Sequence, residues 1–349
     1  MVKYYTRVCN FYYGLISAEK VKKKLSLPLH GNKYLSFDTV EIISRKKIKR
    51  LNIKKINKLK SQTRKKILSD IIKISKKKKI KDLKFSNSPI LMGVLNLTPD
   101  SFSDGGKFNK KKLGEKQAKK LIKDGCGILD IGGEATNPGS KEVNVDEEWR
   151  RIYPTLSKIK NLNKFISLDT RKSIIMKKGI ENKISLINDV SGLEHDKNTI
   201  KVLKLTKIPF VIHHMQGNPS TMQKNPKYKN VVLDIYDFFE KKIRYVRSKG
   251  IKHNNIILDP GIGFGKNLKH NITLLKNISI FHSLGFPVML GTSRKRFIKS
   301  LSGVNDSKER IGGTISSSLF AIMQGVQILR VHDINEVNQS IKVFNTLNF

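Results

Sequence analysis

The chain has 349 residues, of which 38% are hydrophobic, so it can bury one large core or two smaller ones, and no stretch of about eighteen apolar residues predicts a membrane span. Its two cysteines, Cys9 and Cys126, have no paired spacing and no His/Cys cluster, which disfavours a disulfide framework or a zinc ribbon. Together with an N-terminus that lacks the apolar core of a signal peptide, this usage predicts a cytoplasmic protein.

The formal net charge of +41 is concentrated in the N-terminal quarter, where residues 1–88 carry 26 Lys and Arg against 5 Asp and Glu. A basic excess of this size can indicate nucleic-acid binding. Lys, Ile and Asn are abundant along the whole chain, however, so a compositional bias is the preferred interpretation. Attraction of anionic substrates ranks second, and nucleic-acid binding ranks last.

The first 88 residues predict a lysine-rich extension of unknown role. Residues 1–45 mix aromatics with short apolar runs and predict a small β-containing cap that packs on the main domain. Residues 46–85 predict one amphipathic helix and then a solvated lysine run at 76–79, and a domain boundary is predicted at residues 87–89. The apolar face of that helix is formed by Ile67, Leu68, Ile71, Ile72 and Ile74.

From residue 89 to 349, short apolar runs alternate with helical patterns eight times. The predicted strands are 90–95, 128–131, 165–169, 184–188, 210–214, 256–259, 287–291 and 326–330. The predicted helices are 112–124, 146–160, 171–180, 196–206, 229–249, 268–284, 307–325 and 333–346. Such alternation implies parallel strands with helical crossovers, and eight pairs in about 250 residues predict a closed (β/α)₈ TIM barrel.

Nearly every predicted strand ends in a hydrogen-bonding or charged side chain, at the end where a barrel carries its chemistry. These positions are Asn96, Asp130, Asp169, Asn188, His213 to Met215, Asp259, Gly291 to Arg296, Arg330 and His332. A single Asp after a strand is commonly a helix cap or a turn residue, and Asp169-Thr170-Arg171 keeps the most capping character. Recurrence at all eight strands favours a binding site.

Two chemistries are combined at these ends. Carboxylates and an amide suit a flat heterocycle with adjacent N–H donors, whereas cations suit phosphate, aided by a helix start predicted at Arg294. The hydrogen-bonding set is Asp169, Asn188 and Asp259. The cationic set is Arg294, Lys295, Arg330 and His332. The predicted ligand is therefore a heterocycle that carries phosphate or pyrophosphate.

Two other motifs do not support a site of their own. The glycine-rich stretch 261–266 follows Pro260 and precedes Asn267, which breaks the phosphate-loop pattern, so a tight strand-to-helix turn is preferred. His213 and His214 point to opposite faces of a strand, which disfavours a shared metal. No arrangement typical of a catalytic nucleophile is evident.

Residues 95–106 (LNLTPDSFSDGG) strongly resemble the first signature of dihydropteroate synthases, and residues 130–139 (DIGGEATNPG) resemble the second. Further matching stretches follow in the order of the family, so the resemblance covers residues 90–349. They are 167–170, 187–192, 214–217, 258–266, 291–295 and 330–333. One departure is Asn137, which stands where the family commonly has an Arg.

The resemblance implies a folate-pathway transferase that joins 6-hydroxymethyl-7,8-dihydropterin diphosphate to 4-aminobenzoate, giving 7,8-dihydropteroate and pyrophosphate. It also implies a TIM barrel, Mg²⁺ as cofactor, a homodimer, and competition between sulfonamides and 4-aminobenzoate. An Arg at position 137 would contact phosphate, so Asn137 puts the handling of pyrophosphate in question.

The family's site residues carry over to matching positions of this chain. Those implied for the pterin are Asp169, Asn188, Asp259 and Lys295, and Asp169, Asp259 and Lys295 are the implied catalytic residues. Those implied for pyrophosphate and Mg²⁺ are Asn96, Arg330 and His332, with Asn96 as the metal contact. Those implied for 4-aminobenzoate are Thr136, Pro138, Phe264 and Ser293, with Phe102 on a closing lid at 97–106 and Met215 as a further substrate contact.

Two alternatives stay open at this point. Another pterin-binding barrel, which transfers a methyl group from methyltetrahydrofolate to a corrinoid, would share the pterin-contacting acids but would not need Lys295, Arg330 and His332. An inactive barrel whose basic extension binds nucleic acid would instead show steeply salt-dependent DNA binding that requires residues 1–88.

Overall fold

The computed structural model describes residues 2–98, 113–137, 139–162 and 164–348. The predictions for Phe102, for Pro138 and for most of the lid at 97–106 lie outside the described residues. Both cysteines are buried and free. Within the described ranges, no helix has both the length and the apolar character needed to cross a membrane.

The N-terminal extension forms an antiparallel sheet with two helices. Its elements are β1 (Tyr5–Tyr13), α1 (Gly14–Lys22), β2 (Leu27–Leu29), β3 (Asn32–Ile43), β4 (Ile48–Asn52), a 3-10 turn (Ile53–Lys58) and α2 (Ser61–Ser75). Strand β3 pairs with β1, β2 and β4, so it is the centre of this sheet. The extension therefore has a small core of its own, to which α2 contributes.

Helix α2 occupies the region where the sequence predicts one amphipathic helix. Ile67, Ile71 and Ile74 are buried, but Leu68 and Ile72 are 40% and 67% exposed. Because a helix turns about 100° per residue, only the i, i+4, i+7 positions face the sheet. The buried face is therefore narrower than the sequence predicts.

The extension lies against the outside of a second, larger unit that contains the helix α7 (Val231–Ser248). Tyr5 packs edge-on against Tyr236, with ring centroids 5.1 Å apart. Lys3 and Arg45 both pair with Asp237 on α7, at 2.6 Å and 2.7 Å. Apolar contact, supplemented by half-exposed ion pairs, therefore holds the two units together.

The larger unit alternates strands and helices as predicted. Its strands are β5 (Ile90–Asn96), β6 (Ile128–Gly132), β7 (Phe165–Asp169), β8 (Leu186–Asp189), β9 (Phe210–His213), β10 (Ile256–Asp259), β11 (Met289–Leu290) and β12 (Ile328–Val331). Its helices are α3 (Leu113–Lys123), α4 (Val145–Ile159), α5 (Ser173–Glu181), α6 (Thr199–Thr206), α7, α8 (Leu268–Lys276), α9 (Arg296–Ser302), α10 (Ile311–Met323) and α11 (Ile334–Asn348).

The eight strands are parallel and run in the order β10-β9-β8-β7-β6-β5-β12-β11. A parallel bridge between Leu258 and Val288 joins the two ends of this order. The sheet is therefore a closed barrel, which confirms the predicted TIM-barrel class. Two details differ: the helix predicted at 268–284 breaks after Lys276 into a 3-10 turn (Ile278–Leu284), and α9 begins at Arg296 rather than Arg294.

The barrel interior has an apolar layer near the amino ends of the strands. Seven strands each contribute one residue to it, and these are Met92, Ile128, Leu186, Val211, Ile257, Met289 and Ile328. The segment that links α2 to β5 closes this end, because Ile80 and Leu83 join the same cluster. Lys78 in that segment is only 6% exposed, so the prediction of a fully solvated lysine run at 76–79 is wrong.

Candidate functional site

Above the apolar layer, the same strands place polar side chains inside the barrel. Side chains alternate along a strand, so the residue two positions later returns to the interior, one layer closer to the carboxyl end. Applied to the apolar layer, this step reaches Asp130, Asn188, His213, Asp259 and Arg330. Four of these residues are buried, and Arg330 is half-buried. The barrel is therefore apolar at one end and charged at the other.

Arg330 on β12 binds carboxylates from two other strands. Its Nε donates to Asp130 Oδ2 at 2.6 Å, and its Nη2 donates to Asp169 Oδ2 at 2.8 Å. The predicted capping role of Asp169 is not seen, since its carboxylate binds the guanidinium across the barrel. Asp130 was predicted at a strand end but was assigned no function. Its position two residues after the interior residue Ile128 is the sequence pattern that predicts a side chain inside the barrel.

Two buried oxygen atoms in this layer have no hydrogen-bond partner among the described residues. They are Asp130 Oδ1 and Asn188 Oδ1, although Asn188 Nδ2 donates to Asp130 Oδ2 at 3.1 Å. A buried acceptor without a donor costs about 1–3 kcal/mol. These atoms therefore face the interior as acceptors suited to N–H donors of a ligand.

Burial raises the pKa of two carboxylates in the candidate site. It raises the pKa of Asp169, against the opposing effect of Arg330 and with a further rise from Asp130. Burial also raises the pKa of Asp259 to about 6, while the Gly261 amide and Lys295 act in the opposite direction. Two acids of the candidate site thus titrate closer to neutrality than solvent-exposed acids do.

The turn after β10 fixes Asp259 and brings Phe264 towards it. The Gly261 amide donates to Asp259 Oδ1 at 2.7 Å, and Gly261 has a φ of +68°. A Cβ at this position would lie 2.0 Å from the His214 carbonyl oxygen, so only glycine fits. The glycine-rich stretch is therefore a tight strand-to-helix turn, as the sequence predicts.

Lys295 lies over the ring of Phe264, with Nζ 4.2 Å from the ring centroid. The same ring packs edge-on against His213, at a centroid distance of 4.6 Å. Burial lowers the pKa of Lys295 to about 8, and Arg330 lowers it further while Asp259 opposes the shift. The structure thus brings together an amine, an aromatic ring and Asp259, all of which the sequence places in the site.

Lys266 is a further residue of this turn that the sequence did not single out. It is 2% exposed, and its Nζ lies 3.0 Å from His214 Nδ1 and donates to the Phe264 carbonyl at 2.9 Å. Burial lowers the pKa of Lys266 well below its usual range. Its contacts bind the Phe264 turn to the end of β9, which holds the aromatic ring in place.

Two of the residues predicted to be cationic phosphate ligands differ in the structure. Burial, with Arg330 nearby, lowers the pKa of His332 to about 3, so this imidazole is neutral, and its Nδ1 lies 3.0 Å from Ser293 Oγ. Arg294 is bound by Asp333, to which its Nε donates at 3.0 Å. Of the predicted cationic set, Lys295 and Arg330 remain as cations of the candidate site, because charge state and pairing depend on tertiary neighbours.

Asn96 ends β5 at the same level as Asp169 and Asn188, since Asn96 pairs with Gly132, Gly132 with Asp169, and Asp169 with Asn188. Its amide oxygen lies 3.8 Å from the point where a Cβ on Gly132 would stand. The described residues contain no cluster of three His, Cys, Asp or Glu that could hold a metal ion. One amide oxygen suits Mg²⁺ only if phosphate oxygens and water supply the other ligands.

The remaining predicted contacts lie at the rim. Thr136 is half-buried in the loop after β6, and Met215 is half-buried just after β9. Asn137 is exposed, and the amide of Gly139 donates to the Pro219 carbonyl at 3.0 Å, which joins the two loops. Pro138 and Phe102 belong to the undescribed residues.

A buried ion network supports the loop that carries Thr136. Glu134 binds Arg171 at 3.0 Å and Lys172 at 3.2 Å, and Lys172 also binds Glu148 at 2.7 Å. All four side chains are less than 10% exposed. The sequence did not single out this network, because its members come from three separate segments of the chain and only folding brings them together.

The barrel matches a known family in sequence. The family model described as pterin binding enzyme matches residues 92–332, so the match begins after the extension. The dihydropteroate synthase of Haemophilus influenzae is 40% identical over 257 residues, which are 73% of this chain and 93% of that protein.

Solved structures agree with the sequence match. A Yersinia pestis dihydropteroate synthase with a sulfonamide drug complex has a TM-score of 0.72 at 36% identity, covering 77% of this chain and 98% of that one. The Xanthomonas albilineans dihydropteroate synthase in complex with 7,8-dihydropteroate has a TM-score of 0.68 at 32% identity, covering 74% of this chain and 94% of that one.

Proposed function

This chain belongs to the dihydropteroate synthase family, and on that premise we propose how its barrel performs the family's reaction. The reaction breaks the C–O bond between the pterin methylene and diphosphate and forms a C–N bond to the amine of 4-aminobenzoate. Pyrophosphate leaves, and the amine loses one proton. The chain is accordingly a transferase of folate synthesis.

The observation that carries the proposal is the buried acceptor layer inside the carboxyl end of the barrel. Asp259 and Asn188 present oxygen atoms to the interior, and Asn188 Oδ1 has no donor among the described residues. A dihydropterin ring offers adjacent N–H groups that such acceptors bind in parallel. Asp169 lies beside Asn188 in the sheet and completes the acidic side of the site.

These acids also suit the chemistry of bond cleavage. Loss of pyrophosphate leaves positive charge on the methylene, which the ring delocalises, and buried carboxylates stabilise that charge strongly because little water screens them. Lys295 lies over the Phe264 ring and interacts electrostatically with Asp259, and in this proposal its N–H groups orient the pterin ring and the departing oxygen. No protein nucleophile is required.

We assign pyrophosphate to the side of Asn96, Arg330 and His332. Arg330 uses Nε and Nη2 on Asp130 and Asp169, and no partner of Nη1 is found in the described part of the chain, so that edge suits a phosphate oxygen. Neutral His332 acts as a hydrogen-bonding group rather than as a counter-charge. Mg²⁺, when bound, would neutralise charge on the leaving group, with Asn96 as its protein contact.

Contact with 4-aminobenzoate is assigned to Phe264, Ser293 and Thr136, with Pro138, Phe102 and Met215 as further substrate contacts. Phe264 offers a ring face, and Ser293 offers a hydroxyl beside His332. Sulfonamides resemble 4-aminobenzoate in shape and charge, so they should compete with it.

The test is a pyrophosphate-release assay with the purified full chain, the pterin diphosphate, Mg²⁺ and 4-aminobenzoate. Turnover should require both substrates, and added 4-aminobenzoate should relieve inhibition by a sulfonamide. Reactions that lack 4-aminobenzoate provide the blank. Release no faster than this blank would refute the proposed activity.

We also propose that the chain forms a homodimer through α10. Phe320 and Met323 on this helix are 45% and 38% exposed, whereas Ala321 and Ile322 between them are buried. Neighbouring exposed apolar side chains of this size indicate a partner surface. Sedimentation should give a dimer for the native chain and a monomer for Phe320→Glu; equal masses would exclude this interface.

A further inference from the structure

A cavity of about 380 Å³ lies between the extension and the amino end of the barrel. Four segments line it: residues 29–35 around the β2–β3 turn, residues 77–78 after α2, residues 85–89 before β5, and residues 322–327 before β12. It is therefore at the opposite end of the barrel from the charged layer. We call it the floor cavity.

One side chain at the floor cavity has a buried polar atom without a partner among the described residues. Gln327 accepts from the Val288 amide through Oε1 at 2.9 Å, but its Nε2 has no partner, and the residue is 8% exposed. Leaving such a group unsatisfied costs about 1–3 kcal/mol, so this amide nitrogen indicates a missing acceptor.

The polar wall of the floor cavity favours negative charge. Lys78 is 6% exposed and donates to the Lys73 carbonyl. Burial, with Lys76 and Lys73 nearby, lowers the pKa of Lys78 to about 7, so a carboxylate bound beside it would favour the protonated form, which has further N–H groups to donate. Lys77 also lines the cavity, whereas none of the described lining residues is an Asp or Glu. A carboxylate in this position would accept from Gln327 Nε2 and Lys78 Nζ, which are both donors.

Part of the cavity lining is apolar. Leu35, Phe85, Ile322 and Val326 contribute to it. If an inorganic anion were bound, this apolar surface would stay in contact with water. An organic anion with a compact hydrocarbon body would cover it. A volume near 380 Å³ is also larger than a single phosphate or sulfate requires.

We propose that the floor cavity is a binding site for a small organic carboxylate, separate from the reaction site. Gln327 and Lys78 bind its carboxylate, and Phe85 with Val326 contacts its apolar body. A bound carboxylate touches both the extension and the residues that precede β5 and β12, so it stabilises their association. This role would give the extension a function in ligand sensing.

The test uses the full chain and three probes, followed by titration calorimetry and thermal unfolding. Cyclohexanecarboxylate has the proposed chemistry, cyclohexanecarboxamide is its neutral counterpart, and inorganic phosphate supplies charge without an apolar body. We expect cyclohexanecarboxylate to bind and to raise Tm, and the other two to bind at least about tenfold more weakly.

Two variants locate the site. Gln327→Glu keeps the oxygen that accepts from Val288 but replaces the donor with a negative charge, and Lys78→Met removes the buried ammonium. Each should weaken cyclohexanecarboxylate binding by about tenfold or more. Lys76→Met, a lysine of the same run that does not line the cavity, is the matched control and should change affinity less than about twofold.

Circular dichroism and the pyrophosphate-release rate establish that each variant is folded. The proposal is overturned if the native chain does not bind cyclohexanecarboxylate, if the carboxamide or phosphate binds as well, or if Gln327→Glu retains native affinity. If the native chain binds cyclohexanecarboxylate but shows no turnover, the proposed reaction is refuted and the floor cavity remains supported.

Discussion

The two ends of the barrel are built from the same strands and differ by a step of two residues. At the amino end Ile128, Ile257 and Ile328 form an apolar layer, and at the carboxyl end Asp130, Asp259 and Arg330 stand directly above them. The first layer is closed by the chain itself, through Ile80 and Leu83. The second has buried acceptors that no described residue satisfies. The apolar layer that stabilises the barrel and the charged layer that forms the candidate site thus lie at opposite ends of the same strands.

The largest effect is expected from Arg330→Met, because it leaves Asp130 and Asp169 as buried carboxylates without a cation. Breaking a buried pair in this way costs about 3–5 kcal/mol of unfolding free energy. The pKa of Asp169, which burial already raises, would then lie further above that of the unfolded chain because Arg330 no longer opposes the rise, so the folded state binds more protons. The loss should accordingly grow as pH rises from about 4.

Urea unfolding across this pH range measures the effect. Arg330→Met with Asp130→Asn removes one of the unpaired charges and should recover part of the lost stability. If Arg330→Met is as stable as the native chain at pH 8, the ion pairs do not support the charged layer.

Asp259→Ala should abolish pterin binding while leaving the chain folded. Loss of charged hydrogen bonds worth about 1.5–3 kcal/mol each predicts a fall in kcat/KM of about 100-fold or more. Calorimetric titration with the pterin measures the affinity directly. Asp82→Ala, an exposed Asp of the linker, is the control and should behave as the native chain does.

Asp259→Asn separates charge from shape, because it keeps an oxygen for the Gly261 amide. The folded pKa of Asp259, about 6, exceeds its ordinary value of 3.8, so the native chain loses stability from this group as pH rises through that interval. The Asn variant lacks this loss and should be at least as stable as the native chain at pH 8. Unchanged pterin affinity in both variants would refute the role of Asp259.

Ile80→Ala tests the apolar end. Truncating a buried Ile removes about 2–5 kcal/mol when the site cannot collapse, and the loose linker favours the lower value. Thermal unfolding should show the loss, whereas kcat at a temperature where the variant is folded should change less than about twofold. Ile72→Ala, a 67% exposed side chain on α2, is the control. A large fall in kcat would mean that the two ends are coupled.

The smallest effect is the pH dependence of the native chain. Asp259, with a pKa of about 6, must be ionised to accept N–H bonds, and Lys295, with a pKa of about 8, must be protonated to donate them. The value of kcat/KM should therefore fall about tenfold per unit below pH 6 and above pH 8. Lys295→Arg should move or remove the basic limb. A flat profile from pH 5 to pH 9 would exclude both assignments.

The sequence by itself determined the barrel and the level at which its site lies. Eight apolar runs that alternate with helical patterns are compatible with few folds other than a barrel. Because the strands are parallel, their carboxyl ends all lie at one end of that barrel. The positions of Asp169, Asn188, Asp259 and Lys295 could therefore be predicted together, and the local motifs identified the family. The interior position of Asp130 could also have been predicted, since Asp130 stands two residues after the apolar interior residue Ile128.

Only the tertiary structure decided charge states and pairings. Arg330 binds Asp130 and Asp169 from strands 200 and 161 residues away in the chain, and His332 is neutral because burial and three nearby cations act on it. Lys78 belongs to a lysine run that the sequence predicts to be exposed to solvent, yet Lys78 is buried where the extension meets the barrel. Periodicity is a local property of the chain, whereas burial and electrostatics depend on residues that folding brings together.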